Sequence, residues 1–355
     1  MIPSPTVKKR TTLVSIAKEL DLSTATVSSV INRKVVERGI KESTAQRVRD
    51  HLRKRGFLPS YHAQRLRARD TDLTGILHCG DLRGHQAEAF RLLVDGQDHG
   101  PWPVELRIVP PDRLAEGVRD LLSRGVTRLV WISRRLPEED LQPDVLALLE
   151  QVTVVMYNYL FSETDTGDDL VDVGMHLVGV DRARGFRQLA AKLMTLGHRR
   201  ACLPDQGEQS ALRRPAGRAL YEAGFERVAG CEPEDEDRTQ ENDGDVGAVL
   251  ADRVVEAMQK DRVTATVFTS DENAGFALPH LRARGVRVPD DLSVTGFEGL
   301  PLAAAFAPPL TTLRVPVGRM TRRVDEILKG LATERRHCFP LELVERESLG
   351  PAPHA

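Results

Sequence analysis

A chain of 355 residues with 41% hydrophobic side chains has room for two or three domains and a sizeable core, which excludes a disordered or disulfide-stapled miniature protein. The four cysteines, Cys79, Cys202, Cys231 and Cys338, are far apart and form no C-x-x-C pair, so neither a disulfide framework nor a zinc site is indicated, and no cofactor is called for. The net charge of −2 conceals a division: residues 1–70 hold 16 Lys and Arg against 6 Asp and Glu, and the remainder holds 34 against 46, so a polyanionic partner suits only the first part.

No apolar run approaches the roughly 20 residues that span a bilayer. The N-terminal MIPSPTVKKRTT carries no signal-peptide apolar segment, and the expected location is the cytoplasm. Residues 1–11 read as a basic arm, with Lys8, Lys9 and Arg10 free to approach phosphates. From Thr12 to Asn32 the spacing predicts two short helices: Leu13, Ile16, Ala17 and Leu20 form one apolar stripe, and Val27, Val30 and Ile31 a second. Asp21-Leu22 lies between them, and Thr12 and Ser23 stand where each helix needs a side-chain oxygen for its free N–H groups. Two capped helices across a tight turn make a helix-turn-helix, whose second helix enters a DNA groove. A third helix is expected over Glu42–Arg55, through Val48 and Leu52, which completes a DNA-binding head over residues 12–58.

Residues 59–71 form a hinge candidate. Pro59 interrupts any preceding helix and Ser60 caps a short new one over Tyr61–Arg67, with Ala63 and Leu66 on one face and Gln64, Arg65 and Arg67 on the other. A helix of fewer than about 12 residues does not hold in water, so this segment orders only against DNA or a partner chain.

From Leu73 the pattern alternates strands and helices. Strands are expected at 74–79, 104–109, 127–133, 153–158, 177–180, 200–203, 265–269 and 292–297; helices at 85–95, 112–124, 143–151, 182–196, 213–223, 247–260, 272–284 and 317–331. That alternation means parallel sheets with helices on both faces, in two similar subdomains over residues 72–350. Gly125, Gly197, Gly224 and Gly285 stand at left-handed helix stops. The acidic stretch 230–245 reads as a solvated loop.

Asp271-Glu272, His78 with Asp81, or His198 are the acid/base groups an enzyme would use. No glycine-rich phosphate loop, nucleophile elbow or metal-ligand spacing accompanies them, so an enzyme is the weaker reading. A plain solute-binding protein is opposed by the basic head.

Three separated motifs, TLVSIAKELDLSTATVSSVIN, LPSYHAQRL and TATVFTSDENAGFALPHLRARGVRVPDDLSVTGFEGLPLAAAFAPPLTTLR, occur in the order that resembles the lactose repressor/galactose repressor (LacI) family of bacterial transcription regulators; the likeness runs from about residue 11 to 349. The resemblance implies a helix-turn-helix head joined by a hinge helix to an α/β, periplasmic-binding-protein-like core of two parallel-sheet subdomains. The chain is expected to cross between them near 178–182, 308–314 and 332–340. It further implies a homodimer on double-stranded, pseudo-palindromic operator DNA, a role in repression rather than catalysis, and control by a sugar-like effector; the alternative is a degenerate core that binds no ligand.

Carried over residue by residue, Thr12 and Leu13 open the first helix, while Thr24, Ala25 and Ser29 fall where the family usually faces base edges. Ser23, Ser28 and Asn32 fall where it meets phosphates or braces the helix, and Arg33 lies just beyond. Ser29 stands where many members carry arginine, Asp21 where most carry glycine, and Lys41 where the third helix usually has a serine cap. In the hinge, Leu66, with Ala63 and Gln64 beside it, matches the leucine pushed into a central minor-groove step. For the effector, the resemblance points to Asn158, Ser270, Asp271 and Glu298, with Arg213 or Arg214 as the arginine before Gly217. Asp271 has the alternative of capping a helix that begins at Glu272. Asp81 and His85 are the polar residues following the first strand.

Overall fold

The computed structural model describes residues 13–31, 35, 37–54, 73–79, 82–95, 104–110, 113–132, 143–161, 167–204, 210–230 and 245–353. Two compact units divide it, residues 1–71 and 72–355.

In the first unit, α1 (Leu13–Leu20), α2 (Thr24–Ile31) and α3 (Glu42–Lys54) enclose a small core of Ile16, Ala17, Val27, Val30, Val35, Ala45 and Val48. Of the predicted stripes, Ile16, Ala17, Val27 and Val30 are buried and Leu20 and Ile31 pack partly buried against them, because residues three and four apart share one helix face. Asp21 adopts φ +52° between α1 and α2. Ser23 accepts the Thr26 N–H at 3.0 Å and so caps α2. Lys41 cannot cap with its side chain, yet α3 forms; the Lys41 carbonyl accepts Thr44 and Ala45 N–H at 2.9 and 3.0 Å. His51 on α3 meets Glu19 on α1 at 2.7 Å.

The second unit holds two six-stranded sheets. In chain order its first elements are β1 (Thr74–Cys79), α4 (Gly84–Asp95), β2 (Val104–Val109), α5 (Leu114–Ser123), β3 (Arg128–Ile132), α6 (Pro143–Leu149), β4 (Thr153–Phe161), α7 (Asp168–Asp172) and β5 (His176–Asp181). There follow α8 (Arg182–Thr195), β6 (Arg200–Cys202), α9 (Ser210–Glu222), β7 (Arg227–Ala229), α10 (Val246–Asp261), β8 (Ala265–Val267), α11 (Asp271–Ala283) and β9 (Ser293–Glu298). A 3₁₀ turn (Pro301–Ala304), β10 (Thr311–Arg314), α12 (Val317–Leu328), β11 (Arg336–Phe339) and β12 (Glu342–Val344) complete it.

The strand orders are β11-β5-β4-β3-β1-β2 and β12-β10-β9-β8-β6-β7. Every pairing is parallel except β10 with β12. The chain passes between sheets three times: from β5 into α8, from β10 into α12, and from β11 to β12. Strands buried on both sides explain the near-continuous apolar runs such as RLVWI. Alternation then sends Leu129, Trp131, Val154 and Met156 to one core and Val130, Ile132, Val155 and Tyr157 to the other. In the second subdomain, Ala265 and Val267 face the core of α8 and α9, and Val294 the core of α10 and α11.

Four short strands escape the sequence pattern. β7, β10, β11 and β12 span three or four residues each, too few for alternation to register, although LELVERES reads as strand-like. The five-residue α7 is likewise unsignalled. The glycine stops at 125, 197, 224 and 285 all have positive φ.

Candidate functional site

On the head, the exposed surface of α2 begins with Ser23, Thr24 and Ala25, while Ser28 and Ser29 are half-buried. Ser23 Oγ also lies 2.8 Å from the Thr26 hydroxyl. Ser29 donates its hydroxyl to the Ala25 carbonyl at 2.8 Å, so its one proton is spent inside its own helix. Thr12, Asn32, Arg33, Ala63, Gln64 and Leu66 lie outside the described residues, as does Asp81; of Leu13 only the helical backbone is described.

In the core the carboxyl ends of the parallel strands converge, where open α/β sheets place ligands. Asn158 stands on a bulge in β4: the register with β5 shifts between Tyr157 and Tyr159, so Asn158 is left over with φ +72° and no exposed surface. The bulge turns Tyr159 to the same core as Met156 and leaves the Asn158 amide facing His85 and Arg182. Glu298 ends β9 at φ +110°, also buried. A non-glycine residue in this region costs on the order of 1–3 kcal/mol and persists only where its surroundings over-determine it.

His85, in the first turn of α4, holds these two together. Its Nδ1 lies 2.8 Å from Glu298 Oε1 and its Nε2 lies 3.0 Å from Asn158 Oδ1, and the residue is 2% exposed. Gly84 before it has φ +55°, and a Cβ there would fall 2.4 Å from Glu298 Oε2, so only glycine lets the carboxylate approach. Arg182, the first residue of α8 and also buried, donates to Asn158 Oδ1 at 3.4 Å. Its guanidinium lies 5.5 Å above the Phe297 ring, which stacks on Phe186. Asn158 Nδ2 has no hydrogen-bond partner among the described residues.

The remaining candidates stand elsewhere. Ser270, not Asp271, caps α11, accepting the Glu272 N–H at 3.2 Å; the helix begins at Asp271, which corrects the expected cap by one residue. Asp271 faces the loop after β9 instead, accepting from the Leu300 N–H at 2.7 Å and the Thr312 hydroxyl at 2.6 Å. Burial pushes its carboxyl up to about 7 against those hydrogen bonds, with the Glu298 charge adding to the rise. Asp271 is therefore a brace behind Glu298. Arg213 and Arg214 lie within α9, and their side chains are outside the described set. The sequence reading passes over Arg182, for which a cation directly after the β5 strand end was the available signal.

The acid/base candidates are occupied structurally. His78 Nδ1 lies 2.9 Å from the Ile132 carbonyl. His198 bridges the Thr264 hydroxyl at 2.9 Å and the Gly350 carbonyl at 3.0 Å, and burial lowers its pKa. No group of three or more His, Cys, Asp or Glu among the described residues is placed to hold a metal ion. No helix among them is long and apolar enough to cross a membrane.

In comparison with known proteins, residues 182–349 match the model of the periplasmic binding protein-like domain family. Over nearly the whole chain it is 26% identical to the transcriptional repressor PurR of Vibrio atlanticus, across 95% of this chain and 98% of that one. It is 24% identical to the transcriptional regulator DegA of Bacillus subtilis, across 96% and 99%. Its fold matches a crystal structure of the Lac repressor bound to ONPG in the repressed state, with a TM-score of 0.72, 20% identity and coverage of 96% and 100%.

Proposed function

Since the chain belongs to the lactose repressor/galactose repressor (LacI) family of transcription regulators, we propose that it is a cytoplasmic, non-catalytic repressor that binds a pseudo-palindromic operator as a homodimer. The observation that carries this reading is the first unit itself: a capped helix-turn-helix that exposes Thr24 and Ala25 at the start of its second helix. It sits in a segment with ten more basic than acidic residues. Phosphate contacts from such a segment supply affinity, and side chains on the groove-facing helix supply sequence preference.

Thr24 and Ala25 offer methyl groups, suited to thymine, while Ser29 brings no bidentate guanine contact. The operator therefore differs from one read by an arginine at that position. Residues 59–71, with Leu66 at their centre, act as the hinge that binds a kinked minor groove.

A small polar molecule controls binding from the cleft between the two subdomains. Asn158 on the β4 bulge, Glu298 at the end of β9 and Arg182 at the start of α8 converge there, and their amide, carboxylate and guanidinium suit hydroxyl-bearing, sugar-like ligands. A ligand that prefers one arrangement of the core shifts DNA affinity by its differential affinity for the two.

Selection of bound duplexes from a random pool tests the proposal. A palindromic motif whose binding weakens steeply with added salt is the expected result. Failure to enrich any such motif, with turnover of a substrate by the same preparation, would overturn it.

A further inference from the structure

The hydrogen-bond chemistry around His85 assigns its protons. Arg182 can only donate, so the Asn158 atom it meets at 3.4 Å is the amide oxygen. The same oxygen faces His85 Nε2 at 3.0 Å, so that nitrogen donates. The contact between His85 Nδ1 and Glu298 Oε1, at 2.8 Å, then holds one further proton between imidazole and carboxylate. Both ring nitrogens are thus committed, one to each subdomain: Asn158 belongs to the first sheet and Glu298 to the second.

We propose that His85 is an internal latch that closes the cleft, its ring standing between Asn158 and Glu298 where a small molecule that uses these two groups would have to enter. Three backbone features are shaped to it. Asn158 and Glu298 are two of the four described non-glycine residues with positive φ, and Gly84 leaves room for the carboxylate beside the ring. Asp271 holds the turn at Leu300 and so aims Glu298 from behind. Among the described residues, Glu298 and Arg182 are the charged groups bonded to His85 or Asn158, and Asp271 stands behind Glu298. Closure and ligand entry therefore compete for one position: a ligand gains Asn158 and Glu298 only by expelling the imidazole.

Neither DNA nor effector is needed for this contact, so hydrogen exchange on the free full-length protein tests it apart from the proposed function. In His85→Ala, amides in 157–161 and in 298–302 are expected to exchange at least tenfold faster, while those in 129–132 and 201–203 keep their rates. His85→Phe retains the buried volume without the donors and should loosen the same two segments. Glu298→Gln, whose amide donates to a neutral imidazole, should retain protection. Acceleration confined to 84–90, or full protection in His85→Phe, would overturn the latch.

Discussion

Asp271 and Thr312, 41 residues apart in the chain, meet at 2.6 Å with the carboxylate accepting the hydroxyl proton, and neither side chain reaches solvent. This contact ties the first turn of α11 to β10 beneath the loop that follows Glu298. Burial pushes Asp271 up to about 7, whereas in the unfolded chain an aspartate returns to about 3.9. Between those two pH values the folded protein binds more protons than the unfolded one. The contribution of Asp271 to stability is therefore fully present below about pH 4 and falls as pH rises toward 7, by at most about 1.4 kcal/mol per unit.

Asp271→Asn removes that dependence. Its oxygen accepts from Leu300 and its nitrogen donates to the Thr312 oxygen once the hydroxyl rotates. Urea unfolding across pH 4.5–8 should show the variant gaining on the parent as pH rises. Parallel profiles would assign the titration to another group.

Asp21 holds φ +52° at the carboxyl end of α1, where the backbone favours glycine and the helix dipole disfavours a carboxylate. Asp21→Gly is expected to stabilise the head by about 1 kcal/mol, the left-handed strain relieved outweighing the entropy that glycine adds to the unfolded chain. Slower amide exchange over residues 14–31 in the full-length protein is the readout; unchanged or faster exchange would refute the gain.

Because the Ser29 hydroxyl donates to the Ala25 carbonyl, it has no proton left for a base. Ser29→Arg should shift the selected operator toward guanine at one position in each half-site, a bidentate contact being worth about 1–3 kcal/mol of discrimination. An unchanged motif would remove Ser29 from the base-reading face.

Leu66, outside the described residues, serves only a kinked site in the proposed hinge. Leu66→Ala should therefore weaken operator binding by at least tenfold while leaving nonspecific binding within about twofold, as measured by titration at fixed salt. Equal losses on both DNAs would identify Leu66 as simple packing.

Much of this architecture was legible from local pattern. Ile16, Val27 and Val48 fall at helical spacing, and they are the head's core. Runs such as VTVVMYN announce buried parallel strands, whereas Asn158 and Glu298 are named from the family resemblance, and the strand expected to stop at Asn158 runs on past it to Phe161. Short strands such as RVA carry too few residues for a period, and Ser270 rather than Asp271 caps α11 because both residue types suit a cap and only backbone geometry chooses between them.

Sequence alone thus determined the longer helices and strands, their buried faces and the basic head, since these depend on neighbours within a few residues along the chain. The tertiary structure alone decided which polar groups meet. His85 and Glu298 are separated by 213 residues, and Arg182 meets Asn158 from the next subdomain's first helix. Such contacts follow from a bulge, two positive φ angles and three passages between sheets. None of these leaves a period in the sequence, because each is set by where distant strands end in space.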